Sequence, residues 1–240
     1  MNISSPDSNI TEEKRILEYY GSRTNSSVYS FLRPGHLFML QDRERHVLGL
    51  LKKAGTDPLD KRLLLEVGCG TGQWLRDFIK WGVPPENITG VELIPERAAQ
   101  ARHLSPESLR IELGSATRLA FPDASFDIVL QSTVFTSILV SETKRAVASE
   151  MLRVLKERGF VIWYDFYVNY PWHHQVRGVR KKEILELFPD CTVELKKITL
   201  APPVCRVLAN YSPLGCFILS KVPWLCTHYL GLIRKKTGSG

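Results

Sequence analysis

Leu63-Leu64-Leu65-Glu66-Val67-Gly68-Cys69-Gly70-Thr71-Gly72 is the stretch that decides the fold. A largely apolar run of strand length passes straight into three glycines at alternate positions, and a helical pattern follows over about 72–81. Such a junction needs glycine for two reasons. The turn demands backbone angles that other residues resist, and a side chain would collide with a ligand held at the helix N-terminus. The spacing is GxGxG. A dinucleotide fingerprint reads GxGxxG, and Gln73 stands where its last glycine belongs. No GK[ST] follows, which rules out a P-loop.

Outward from this turn the chain alternates. Strands are predicted over 88–94, 109–113, 126–130, 159–167, 192–200 and 227–233. Helices are predicted over 96–103, 141–156 and 181–188, the last stopped by Pro189. Ahead of the first strand, a helix begins at Thr11 with Ile16, Leu17 and Tyr20 on one face, and another spans about 36–53. Strands alternating with helices, the strands almost continuously apolar, specify an α/β doubly wound, mostly parallel sheet. The expected division is a tail and helical lid over 1–55 and a Rossmann-like ligand-binding domain over 56–240, with an apolar insertion at 203–223.

Glu92 ends the second strand, 92 − 72 = 20 residues beyond the last glycine. An acid at that strand tip accepts hydrogen bonds from both ribose hydroxyls of a nucleoside. Glu66-Val67-Gly68-Cys69-Gly70-Thr71-Gly72, then Glu92, Gly114-Ser115-Ala116 and Phe121-Pro122-Asp123-Ala124-Ser125-Phe126-Asp127-Ile128-Val129 together resemble the motif series of class I, Rossmann-like S-adenosylmethionine (SAM)-dependent methyltransferases of the type 11/25 kind. The resemblance covers about 60–165. It implies a seven-stranded sheet in the order 3-2-1-4-5-7-6 with the last strand antiparallel, SAM as cofactor and S-adenosylhomocysteine as product. It also implies cofactor contacts from Glu66, Gly68, Gly70 and Gly72 at the methionine portion, from Glu92 with Leu93 at the ribose, and from Ser115 and Ala116 at the adenine. The family often has aspartate where this chain has Ser115.

Methyl transfer from a sulfonium is an in-line displacement, so the protein mainly aligns the acceptor and excludes water. Ligands of open parallel sheets bind beyond the carboxyl ends of the strands. That places Gln131 against cofactor or acceptor and Asp165 at the acceptor. The loop Tyr170-Pro171-Trp172-His173-His174-Gln175 supplies His173 or His174 as a general base, or as plain surface histidines. Tyr20, with Tyr19 and Arg23, reads as a lid over the cofactor, or as packing for its own helix. The fourth strand lacks [DN]PP[YFW], which argues against adenine-N6 or glutamine chemistry.

The net charge is +7, and from Arg180 onward ten cations face four anions. This bias fits anionic partners or a solvated basic face. The five cysteines form no CxxC pair and the histidines no HxxxH, so no metal site is expected and reduced thiols suit a cytoplasmic protein. Residues 1–9 lack a secretory pattern, and no apolar run is long enough for a membrane span. The leading expectation is methylation of a small or medium-sized metabolite: a natural product, lipid or glycan precursor, apolar or carrier-linked. An RNA methyltransferase and a non-catalytic SAM-binding partner subunit are the alternatives. The cations are interleaved with apolar residues and no RNA-binding module is appended, which argues against nucleic acid.

Overall fold

A computed structural model of the chain describes residues 6–21, 30–169 and 174–236. Seven strands, β1 (Leu64–Val67), β2 (Ile88–Glu92), β3 (Arg110–Leu113), β4 (Phe126–Ser132), β5 (Leu155–Phe166), β6 (Cys191–Leu200) and β7 (Cys226–Lys235), form one sheet ordered β3-β2-β1-β4-β5-β7-β6. Neighbours from β3 to β5 run parallel, while β7 is antiparallel to both β5 and β6. This is the expected order. β3 and β6 close the two ends of the sheet.

Helices α1 (Pro6–Gly21) and α2 (Pro34–Lys53) precede the sheet; α3 (Gln73–Lys80), α4 (Pro95–His103), α5 (Ser141–Val154) and α6 (Lys181–Leu187) cross between strands. Between β6 and β7 lie α7 (Pro202–Leu208) and α8 (Pro213–Leu219). All four residues of β1 are buried, because helices cover both faces. Strand alternation sends Leu64, Ile128 and Ile162 toward Val47 and Leu51 of α2 and Trp74 and Phe78 of α3. It sends Leu65, Val129 and Trp163 toward Val147 and Met151 of α5 and Ile184 of α6. Each buried Leu or Ile of these two layers contributes roughly 1.5–3 kcal/mol.

The structure differs from the expected boundaries at the start of α1, which begins at Pro6 and not at Thr11, and at the junction of α5 and β5. No break separates α5 from β5: the strand starts at Leu155 and extends for 12 residues. Leu155 pairs with Phe126, and a bulge between Phe126 and Ile128 absorbs the change of register. The 203–223 insertion resolves into α7 and α8, rooted by a small apolar cluster of Phe38, Leu200, Cys205, Ala209 and Cys216. Gly35, in the first turn of α2, makes this fit: a Cβ there would lie 2.6 Å from the Arg206 Cα, so the backbones of α2 and α7 meet directly.

Candidate functional site

The glycine turn stands at the end of β1. Gly68, Gly70 and Gly72 adopt φ of 68°, 55° and 78°, the left-handed region that favours glycine. The amides of Gly68 and Cys69 donate to the Val91 carbonyl at 2.8 and 3.0 Å, tying the turn to β2. A Cβ on Gly68 would also strike Val134 Cγ2 at 2.5 Å. Glu92 completes the turn from below. Its Oε2 accepts from the Gly70 amide at 2.7 Å and its Oε1 from the Ile94 amide at 2.9 Å. A carboxylate has about four lone-pair sites, so Glu92 retains acceptor capacity for a ligand.

Beyond the strand ends opens a cavity of about 800 Å³, mouth included, with Gly68, Glu92, Leu93, Ser115, Ala116 and Tyr20 in its wall. The turns after β3 and β4 and one face of α1 enclose the rest. Ser115 does not stand alone at the position where an acid was expected. Glu13, from α1, brings its carboxylate there, accepting from the Ser115 hydroxyl and from Thr117 Oγ1 at 3.0 Å. Glu13, Ile16 and Tyr20 share one helical face by their i, i+3, i+7 spacing, and all three line the cavity. The Arg97 guanidinium lies 4.5 Å over the Tyr20 ring.

Polar bonds fasten α1 over this opening. Arg15 donates to the Ser137 carbonyl and, at 2.7 Å, to Gln175 Oε1; Tyr20 shares a hydrogen bond with Ser137 Oγ. Glu12 accepts from Arg15 and from the Leu139 amide. Burial pushes the Glu12 carboxyl up, but these bonds outweigh it and hold the group below its ordinary value.

Gln131 and Asp165, placed at the ligand by their strand-end positions, are instead both fully buried on the α5 side of the sheet. Each accepts from the turn after β4: Gln131 Oε1 from the Val134 amide at 3.2 Å, Asp165 Oδ2 from the Thr136 amide at 3.2 Å. They hold the cavity wall from behind. Burial pushes the Asp165 carboxyl up to about 7. Glu66 is buried on the other face, below α2 and α3, and burial raises its carboxyl well above the usual range. Among the described residues, one Glu66 oxygen and the Gln131 Nε2 have no hydrogen-bond partner. Gly70 and Gly72 shape the turn without lining the cavity: Gly70 is tied to Glu92, and Gly72 caps α3. His174 is exposed, while Tyr170, Pro171, Trp172 and His173, like Arg23, lie outside the described residues. No cluster of metal-ligating side chains occurs among the described residues.

Sequence reading missed Glu13, Arg15 and Ser137, and offered Thr117 only for its backbone amide, whereas its hydroxyl meets Glu13. The signal for Glu13 was the shared helical face with Tyr20, whereas the Arg15 and Ser137 contacts span 122 positions and leave no local mark.

Residues 65–163 match a family model described as a methyltransferase domain. Over 159 residues the chain is 30% identical to the 2-methyl-6-phytyl-1,4-hydroquinone methyltransferase of Synechocystis sp., covering 64% of this chain and 48% of that protein. Over 108 residues it is 33% identical to the demethylmenaquinone methyltransferase of Deinococcus radiodurans, covering 44% and 43%. The chain thus spans about half the length of the curated relatives it matches. Among solved structures, the PH0226 protein of Pyrococcus horikoshii shares the fold with a TM-score of 0.59 at 18% identity, over 91% of this chain and 99% of that one.

Proposed function

We propose that the chain, whose residues 65–163 match a methyltransferase domain, transfers the methyl group of SAM to a small apolar acceptor of the hydroquinone class. The observation that carries the reading is the hydrogen-bond acceptor set of the cavity: the Glu92 carboxylate beneath the glycine turn, with Glu13, Ser115 and Thr117 grouped beyond it. This chemistry fits a nucleoside, whose ribose hydroxyls donate to Glu92 and whose exocyclic amine donates to the Glu13 group. Gly68 keeps a side chain away from the methionine end, Gly70 and Gly72 shape the turn that holds it there, and Leu93 and Ala116 give apolar flanks to the base.

When bound, the cofactor supplies a methyl group already activated for in-line displacement. The chain's own share is alignment and exclusion of water. Ile16 and Tyr20 close over the opening, and the turn after β4 forms the wall toward the acceptor. Gln131 and Asp165 act as positioning residues, keeping that wall in place through the Val134 and Thr136 amides. The acceptor class is carried over from the name of the Synechocystis relative, the Deinococcus relative's name giving a quinone, and is supported by an opening whose lining includes Ile16, Val134, Ile138 and Val147.

Calorimetric titration with S-adenosylhomocysteine, with NAD as control, tests the reading on wild type and Glu92→Ala. Micromolar binding of S-adenosylhomocysteine alone is expected, weakened at least about tenfold in the variant, or ~1.4 kcal/mol. A folded wild type that binds no S-adenosylhomocysteine overturns it. Acceptors are then screened with labelled SAM, short-chain hydroquinones first and RNA second.

A further inference from the structure

Residues 201–225 carry no aspartate or glutamate, only the cations Arg206 and Lys221. They form α7, α8 and the short turn Pro223–Leu225, a cap held to the sheet through small buried residues, Cys205, Ala209 and Cys216. The large apolar side chains point the other way. Val207 is 64% exposed, Tyr211 83%, Leu214 68%, Ile218 58% and Trp224 83%. On α8, Leu214, Phe217, Ile218 and the following Lys221 fall at i, i+3, i+4 and i+7, the spacing of a single outward face. Phe31 and Leu32, 56% and 92% exposed, stand just before Gly35, the point where α2 meets α7.

Scattered exposed apolar residues are ordinary on a soluble surface; a contiguous group with polar rims marks a docking surface. Charge decides the occupant. Lys221 Nζ lies 4.3 Å and the Arg45 guanidinium 5.9 Å from the Phe217 ring. Arg206 and Arg33 are exposed beside Val207 and Leu32. The projecting apolar groups are therefore rimmed by cations, with an indole and a phenol among them. At the surface of an anionic bilayer, such apolar side chains enter the headgroup–acyl boundary, aromatic rings settle at headgroup level and cations meet lipid phosphates. A two-fold copy of the chain would set the same cations against one another.

We propose that the α7–α8 cap is a membrane-docking surface that seats the protein on an anionic bilayer. It rests on the surface without crossing it: no helix among the described residues is long and apolar enough to span. The inference is independent of which acceptor is methylated.

Vesicle cosedimentation of the full chain tests it, with phosphatidylcholine alone against phosphatidylcholine carrying about 30% phosphatidylglycerol. Wild type is expected to pellet with the anionic vesicles and to be partly released by salt. The variant Leu214→Glu/Ile218→Glu/Trp224→Glu, shown folded by its circular dichroism, is expected to partition about tenfold less. Should that variant fail to fold, Arg206→Glu/Lys221→Glu serves instead and is expected to lose the preference for anionic over neutral vesicles. Wild type that ignores both kinds of vesicle, or a folded variant that pellets unchanged, overturns the proposal. So does a wild type that dimerises in sedimentation velocity through this face without binding vesicles, since a second copy then covers it.

Discussion

The two helical additions to the sheet, α1 at one place and the α7–α8 cap at another, are attached by opposite means. α1 is held by hydrogen bonds: Arg15 to Ser137 and Gln175, Glu12 to the Leu139 amide, Glu13 to Ser115 and Thr117. The cap is held by apolar burial around Leu200, Cys205 and Cys216. Each of these hydrogen bonds involves a charged group and is worth about 1.5–3 kcal/mol net, because water replaces it on opening. Apolar burial has no such substitute. α1 is thus suited to detach and re-form as a ligand enters, and the cap to stay fixed while presenting its outer face.

Truncating the cap's root has the largest expected effect. Leu200→Ala removes a fully buried side chain and should cost about 2–5 kcal/mol in urea unfolding. A loss below about 1 kcal/mol would mean that the cap is not anchored by burial, and the contrast with α1 would fail. Next comes the latch. Arg15→Ala should leave the unfolding midpoint nearly unchanged while weakening S-adenosylhomocysteine about tenfold, mainly through faster dissociation. An equal loss of stability would make α1 part of the core and not a closure. Smallest is Trp224→Ala, expected within about 0.5 kcal/mol of wild type despite the size of the side chain removed. A cost like that of Leu200→Ala would show that the indole is covered in the free protein.

The glycine turn and Glu92 were legible because each is written locally, as an apolar run, alternate glycines and an acid at a fixed distance, whereas the strand order followed only from the family resemblance those motifs carry. Ser115 showed where that logic stops. The acid missing there comes from Glu13, 102 positions earlier in the chain, and only the tertiary fold brings the two together. Gln131 and Asp165 were misplaced for a different reason. Position along a strand gives the height of a residue in the sheet, whereas alternation decides its face, and both face α5. The cap inverted a size rule. Large apolar residues usually go inward, but here Cys205, Ala209 and Cys216 fill the narrow space against α2, and the bulky side chains are left outside. Of the two candidate histidines, His174 is exposed and His173 falls outside the described residues.

The ends of the sheet have a consequence for how the protein behaves in a crowded solution. An uncovered strand offers free amides and carbonyls to any other extended chain, which is how misassembly spreads. β3 places Arg110 and Glu112 along its border, and along the other β6 places Glu194 and Lys196 on its exposed face, with Lys197 next to them. A foreign strand approaching either border would have to strip water from these charges to pair. Fibre growth by strand addition is thereby opposed at both borders, and adhesion is left to the helices of the cap.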